Sequence, residues 1–407
     1  MNKISSVAVV GLGKLGACLA SALSQCGFDV LGTDCDGRVV EQINSGCHQS
    51  HEPDLDLSGV IATTHIEEAA YRDASFLVVP TPTLPNGLFS NQYLLDAALG
   101  VSGGLKANQR KQHLFVIVST TTPGSIESEI IPAIEHATGW TCGCQFGLCY
   151  NPEFIALGNV MRGLLQPDLV LIGQFDALSG ERLAALYDRL MGTTANTAPV
   201  FRMSIVSAEL AKISLNSFLT MKISFTNQTA AIARAIKGCD PWQVLRAVGA
   251  DSRVGPKYLG CGLAYGGPCF PRDNRMLAAL ARGLGVEAPL AAASDAVNNQ
   301  ANEDLARAVL ALAGPSDTVA ILGTAYKPGT AVTDQSPGMI LAQHCNGRVA
   351  KVLVHDPIAV TCAFETFNLG QLAFMEEVKV AVICTPHPQY AGLSVSPKTA
   401  LLNPWGV

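Results

Sequence analysis

The chain of 407 residues is 48% apolar and carries a formal net charge of -6. That length buries large cores in two or three domains, and the charge balance supplies no basic stripe of the kind that neutralising nucleic-acid phosphates demands. No apolar run reaches the eighteen or so residues of a membrane-spanning helix. The thirteen scattered cysteines, an odd number in a long chain, read as reduced thiols, most of them small core fillers.

Residues 1–6 lead directly into Val7-Ala8-Val9-Val10 with no charged leader or cleavage signal, so a cytoplasmic protein is expected. Apolar runs recur at 7–10, 30–33, 76–79, 114–118, 148–150 and 169–172, most of them separated by helix-length stretches. Aliphatic runs alternating with helices are the pattern of a doubly wound parallel sheet. Gly11-Leu12-Gly13-Lys14-Leu15-Gly16 follows the first run and opens a helix. Gly11 permits the turn, Gly13 lets a pyrophosphate approach the backbone and Gly16 lets helix pack on strand. Asp34 closes the second run, where a carboxylate accepts ribose hydroxyls and repels a 2′-phosphate, favouring NAD over NADP. A tight turn in another α/β fold and an FAD site are the competing readings.

Residues 204–236 read as one long helix ended by Gly238, with Asp240 and Pro241 placed to cap and start the next. Strand patterns return at 318–322, 349–354 and 378–384. The expected architecture is α/β: an N-terminal Rossmann domain over 1–200, a helical central domain with a long central helix over 201–314, and a C-terminal Rossmann-like domain over 315–407.

Three segments concentrate polar side chains. Asn151-Pro152-Glu153-Phe154 follows the fifth run, at the carboxyl end of a strand, where ligands gather in such folds. Glu209, Lys212 and Asn216 form one polar stripe at helical spacing; a solvated face with an ordinary ion pair is the alternative. Gly266-Gly267-Pro268-Cys269-Phe270-Pro271-Arg272-Asp273 sets a cysteine beside paired glycines and an arginine that favours thiolate, against the reading of Cys269 as a core filler. Cys142-Gly-Cys144 is the one close cysteine pair and lacks further ligands at zinc-site spacing, so no metal is expected.

Together with Val79-Pro80-Thr81-Pro82, Ser119-Thr120, Asp251-Ser252-Arg253 and Ala325-Tyr326-Lys327-Pro328, these segments resemble, over nearly the whole chain, those of the UDP-glucose 6-dehydrogenase family, which also holds GDP-mannose and UDP-N-acetylmannosamine dehydrogenases. The resemblance implies NAD-dependent, four-electron oxidation of a nucleotide sugar at carbon 6, UDP-glucose to UDP-glucuronate before others, in polysaccharide biosynthesis. It implies that Cys269 forms a thiohemiacetal and then a thioester. Asp273 and Lys212 would hold the water that takes the hydroxyl proton, Lys212 and Asn216 would stabilise the oxyanion, Glu153 would activate the hydrolytic water, and Thr120 would hold the water network. Cofactor contacts are implied at Gly11, Gly13, Leu15, Gly16, Asp34, Thr81, Pro82, Thr120 and Lys327. Substrate contacts are implied at Phe154, Arg253, Tyr258, Gly266, Gly267 and Lys327, with Arg253 reaching across a homodimer built on the long helix.

The chain departs from the family pattern at four places. Leu157 stands where a second glutamate is usual, and Arg272 replaces a lysine. The stretch 329–337 carries Ala331, Val332 and Asp334 in place of acidic residues and an arginine. The chain stops soon after Asn403-Pro404-Trp405, from which a slightly shortened last domain is expected. A two-electron β-hydroxyacid-type dehydrogenase, which needs no cysteine, and a non-catalytic nucleotide-sugar-binding relative are the alternative functions.

Overall fold

The computed structural model describes residues 3–50, 52–155, 158–192, 198–360 and 362–405; Leu157 lies outside them. The chain divides into two compact units, Met1–Ile213 and Ser214–Val407.

The first unit is built on eight strands: β1 (Ser6–Val10), β2 (Asp29–Thr33), β3 (Val60–Thr63), β4 (Ala74–Leu77), β5 (His113–Ile117), β6 (Phe146–Tyr150), β7 (Val170–Gln174) and β8 (Val200–Ser204). They lie in the order β3-β2-β1-β4-β5-β6-β7-β8. Every neighbouring pair is parallel except β6 and β7. One apolar cluster covers each face of this sheet, which is why its inner strands are aliphatic throughout. The order of β3, β2, β1, β4 and β5 is that of a Rossmann sheet.

All six apolar runs of this half form strands, with one shift: the fourth strand lies at Ala74–Leu77, ahead of the run at 76–79, because its register against β1 begins at Val7 and Ala74. Two strands carry no such run. They are β3 and β8, the two edges of the sheet.

The long helix runs Ile205–Ala235, within one residue of its expected ends. Beyond it, the Asp240 side chain accepts a hydrogen bond from the Trp242 N–H and Pro241 starts the helix Pro241–Ala250, as the sequence anticipates. The second unit adds the helices Phe270–Gly283 and Pro289–Leu312 and a parallel sheet in the order β11-β10-β9-β12-β13. Its strands are β9 (Thr318–Leu322), β10 (Lys351–His355), β11 (Glu365–Thr366), β12 (Val378–Ile383) and β13 (Ala400–Leu402). The three inner ones coincide with expected strands, and the edges β11 and β13 are again the unexpected pair.

The fold is therefore α/β, with an N-terminal Rossmann-like sheet, a helical middle and a C-terminal parallel sheet. Among the described residues no helix is long and apolar enough to cross a membrane, and no group of three His, Cys, Asp or Glu side chains is placed to hold a metal ion. The cysteines are free thiols, and Cys18, Cys26, Cys142, Cys149, Cys261, Cys345 and Cys384 are buried.

Candidate active site

In the first unit the glycine turn shows three distinct demands. Gly11 sits at φ +93° and a Cβ there would lie 2.3 Å from the Val78 carbonyl oxygen, while one on Gly16 would lie 1.8 Å from the Gly11 oxygen. Both positions exclude side chains for internal reasons. Gly13 is different: a Cβ there would meet nothing within 4 Å, so the space beside it is open to a ligand. Gly13 also immediately precedes the helix Lys14–Gln25, whose unpaired N–H groups and dipole favour an anion. Asp34, half-buried, accepts the Leu12 N–H at 2.8 Å through one oxygen and the Asp36 N–H at 2.9 Å through the other. Its carboxylate is thus fixed beside the turn. These features fit a dinucleotide, whose pyrophosphate would meet Gly13 and the helix start, and whose ribose would meet Asp34. Leu15 packs partly on the core, so a cofactor contact there would use its backbone.

At the ends of β4 and β5 the Thr81 hydroxyl donates to the Thr120 carbonyl at 2.7 Å, and the Ser119 hydroxyl donates to the Val79 carbonyl and accepts its N–H. Pro82 is exposed and Thr120 half-buried.

The segment after β6 gathers Glu153, Phe154 and Lys212. Lys212, only 7% exposed, donates to the Glu153 carbonyl oxygen at 2.6 Å and holds its ammonium 4.8 Å from the centre of the Phe154 ring. The Glu153 carboxyl accepts from the Tyr187 hydroxyl at 3.1 Å. Loss of water around it pushes its pKa up to about 7, against the opposing pull of Tyr187 and of the Lys212 charge. Near neutrality such a carboxyl exchanges a proton readily, the property a general base needs.

Glu209 does not act as the stripe of helical polar residues suggests. It is wholly buried, accepting the Thr121 hydroxyl at 2.8 Å and the Gly124 N–H at 2.6 Å. It is an anchor for the segment after β5, neither a solvated residue nor an ion-pair partner.

In the second unit Cys269 is exposed and stands immediately before the helix Phe270–Gly283, with Pro271 in its first turn. The helix start favours negative charge on the sulfur. One turn on, Asp273 is 1% exposed and accepts the Asn216 amide at 2.7 Å and the Arg272 Nε at 3.2 Å. Asn216 thereby fixes the carboxylate that follows the thiol. Gly266 and Gly267 are buried, and each is glycine by necessity. A Cβ on Gly266 would lie 2.3 Å from the Gln335 carbonyl oxygen, and one on Gly267 would lie 2.6 Å from the Tyr326 ring. The Gly267 N–H donates to the Asp334 carbonyl at 2.8 Å. The 329–337 stretch that departs from the family pattern therefore touches the cysteine turn through its backbone, which Ala331, Val332 and Asp334 leave intact.

Tyr326 stands by the same turn. Burial, and then the charge of Cys269, push its phenol up to about 12, and the Lys327 ammonium lies 5.9 Å from its ring centre. Tyr258 is exposed at φ +64°, a conformation unfavourable for a large residue. Arg253 is exposed, paired with Asp251 at 2.8 Å.

Three sequence profiles match in chain order. They are described as the NAD binding domain, the central domain and the UDP binding domain of the UDP-glucose/GDP-mannose dehydrogenase family, and cover residues 5–191, 206–300 and 320–404. The chain belongs to this family. It is 34% identical to a UDP-glucose 6-dehydrogenase of Haloferax volcanii over 89% of this chain and 85% of that one. It is 32% identical to a GDP-mannose 6-dehydrogenase of Azotobacter vinelandii over 86% of this chain and 80% of the relative. The structure of a UDP-glucose dehydrogenase from Pyrobaculum islandicum superposes with a TM-score of 0.89, at 32% identity, covering 99% of this chain and 94% of that one.

The match to the family's NAD binding domain, residues 5–191, includes the glycine turn. The residues that sequence reasoning did not single out are Tyr187 and Thr121, both bonded to key carboxyls, and Tyr326 as an individual contact of the cysteine turn. Tyr187 sits among apolar residues on the helix Ala177–Gly192 and reads there as core; its partners come from elsewhere in the chain.

Proposed function

We propose that the protein oxidises the C6 alcohol of a nucleotide sugar, UDP-glucose first among candidates, to the carboxylate through covalent attachment to Cys269. NAD, held by the Gly11–Gly16 turn and Asp34, supplies when bound the acceptor for one hydride in each of two oxidations. Thr81, Pro82, Thr120 and Lys327 would complete its contacts. The hydroxyl proton passes to a water held by Asp273 and Lys212, while the Lys212 ammonium and Asn216 amide stabilise the oxyanion. The aldehyde carbon then bonds to the Cys269 sulfur, giving a thiohemiacetal whose oxidation leaves a thioester. Water adds to that carbonyl, gives its proton to Glu153, and the C–S bond breaks to free the acid and the thiolate. Thr120 would order water in the network.

One observation carries this reading: Cys269 is exposed at a helix start, one turn from a buried Asp273 that Asn216 holds. A two-electron dehydrogenase would have no use for that sulfur. Phe154, Arg253, Tyr258, Gly266, Gly267 and Lys327 are the proposed substrate contacts. The division 1–200, 201–314 and 315–407 assigns cofactor, catalytic helix and nucleotide-sugar grip. A homodimer is proposed through the long helix, where Phe218, Phe225 and Ile232 are 58%, 50% and 56% exposed at seven-residue spacing. Arg253 would then serve the neighbouring site. The free thiols agree with a cytoplasmic setting.

The test is to incubate the protein with NAD and UDP-glucose, with GDP-mannose and UDP-N-acetylmannosamine in parallel. The expected yield is two NADH and one acid per sugar, with none from Cys269→Ala. Acid at the normal rate from that variant overturns the mechanism, and one NADH per sugar favours the two-electron alternative.

A further inference from the structure

Asn151, Glu153 and Tyr187 form a closed hydrogen-bond problem with one proton too few. The Tyr187 hydroxyl lies 2.6 Å from the Asn151 Oδ1 and 3.1 Å from the Glu153 Oε1, both acceptors. A phenol has a single proton and cannot donate to both in full. The amide of Asn151 cannot turn to relieve the conflict, because its Nδ2 donates to the Leu171 carbonyl at 2.9 Å and its backbone N–H to the Ile117 carbonyl at 2.8 Å. Its oxygen is therefore kept towards Tyr187.

Two proton arrangements satisfy the group. With Glu153 ionised, Tyr187 donates to it and Asn151 gives up its donor. With Glu153 protonated, the carboxyl donates to the Tyr187 oxygen and Tyr187 donates to Asn151, so the Tyr187 and Asn151 oxygens are both paired. The phenol itself stays protonated, since burial and the Glu153 charge hold its pKa well above the usual value.

Resting on the assignment of Glu153 as the base of thioester hydrolysis, we infer that Tyr187 is its positioning residue, whose hydroxyl proton swings from Glu153 to Asn151 as Glu153 takes the proton of the attacking water. The chemistry balances: water gives its proton to Glu153, its oxygen to the acyl carbon, and the thiolate leaves. Tyr187 only reorients. The arrangement helps a base by pairing its protonated form, which an isolated buried glutamate would leave with no partner for its proton.

The groups that face the Glu153 carboxyl are Tyr187, from the helix Ala177–Gly192, and Lys212, from the long helix. Two substitutions therefore move its titration in opposite directions. Tyr187→Phe removes a donor to the ionised form and raises the pKa, carrying the acid limb of hydrolysis upward by about one pH unit. Asn151→Ala leaves the Tyr187 proton nowhere else to go, stabilises the ionised form and carries the same limb downward.

The experiment follows hydrolysis in single turnover with UDP-glucose and NAD, by acid release and by the mass of the protein, from pH 5.5 to about 9. In Tyr187→Phe at pH 7 the expected result is an acyl-protein that accumulates as hydrolysis slows about fivefold, with the first hydride transfer unchanged. A purely structural role would slow both oxidations and leave the limb in place. An infrared titration of the carboxyl band, assigned with Glu153→Gln, reads the same opposed shifts without turnover. Opposed shifts support the proposal; no shift, or shifts of one sign in both variants, overturns it. Should Tyr187→Phe fail to fold, the downward shift in Asn151→Ala decides alone. Glu153→Gln separates the two failures. Normal hydrolysis in that variant removes the base assignment and the proposal with it, whereas a trapped acyl-protein there beside unshifted Tyr187 and Asn151 variants removes only the role of Tyr187.

Discussion

The two sheets open on the same backbone device and use it differently. At the end of β1, Gly11 at φ +93° donates to the last residue of β2, Thr33, at 2.8 Å; at the end of β9, Gly323 at φ +96° donates to the last residue of β10, His355, at 2.7 Å. A Cβ on Gly16 or on Gly338 would lie 1.8 or 2.1 Å from the oxygen of its partner glycine. Each turn also has an aspartate directly after the second strand, Asp34 or Asp356, accepting the N–H that follows the glycine at 2.8 Å.

The difference lies in what else holds the carboxylate. Asp34 is half-buried beside an open Gly13. Asp356 accepts four backbone N–H groups, from Thr324, Ala325, Ile358 and Ala359, and faces His387 at 3.3 Å with both side chains 1% exposed. Those bonds hold its carboxyl far below the usual carboxylate range despite burial. One aspartate is available to a ribose, and the other is consumed by the protein. Shared backbone geometry thus does not imply a shared ligand.

Substitutions break this comparison at measurable points. Asp356→Ala strands four buried N–H groups and should cost about 4 kcal/mol in denaturant unfolding of the second unit. Asp34→Ala should instead weaken NAD about ten- to a hundredfold by calorimetry, the worth of a charge-assisted hydrogen bond, with little loss of stability. Equal destabilisation by the two would show that Asp34 too is structural.

A pH effect of about 1–2 kcal/mol sharpens the contrast. The low pKa of Asp356 contributes stability that is present above its ordinary value of 3.8 and fades as pH falls below it. In the first unit, burial outweighs the donors to Glu209 and raises it from 4.5 to about 7. Its contribution is full below 4.5 and is lost as pH rises through 7. Unfolding across that window should show a steeper slope in wild type than in Glu209→Gln, the remainder coming from Glu153, which burial also raises to about 7. Asp73, held down to about 2, gives the first unit an acid limb as well, so the slope near neutrality is the diagnostic one.

The smallest expected change in stability is at Gly13. Gly13→Ala, with open space around the added methyl, should alter unfolding by about 0.5 kcal/mol or less and still weaken NAD, because the methyl occupies the approach to the backbone. An unchanged affinity would remove Gly13 from the proposed pyrophosphate contact.

The sequence by itself determined the inner strands, the long helix and the glycine turn. These are local: strands covered on both faces must be apolar along their whole length, and caps and turns are written in consecutive residues. The tertiary structure decided the four edge strands, β3, β8, β11 and β13, whose outer sides face no neighbouring strand and so demand no continuous apolar run. It also decided the partners of the buried carboxyls. Glu209 meets Thr121, and Glu153 meets Tyr187, across separations of 88 and 34 residues. Helical spacing placed Glu209 in a stripe with Lys212 and could not see that its carboxylate turns to the segment after β5, because a side chain's hydrogen bonds are chosen by what folding brings beside it.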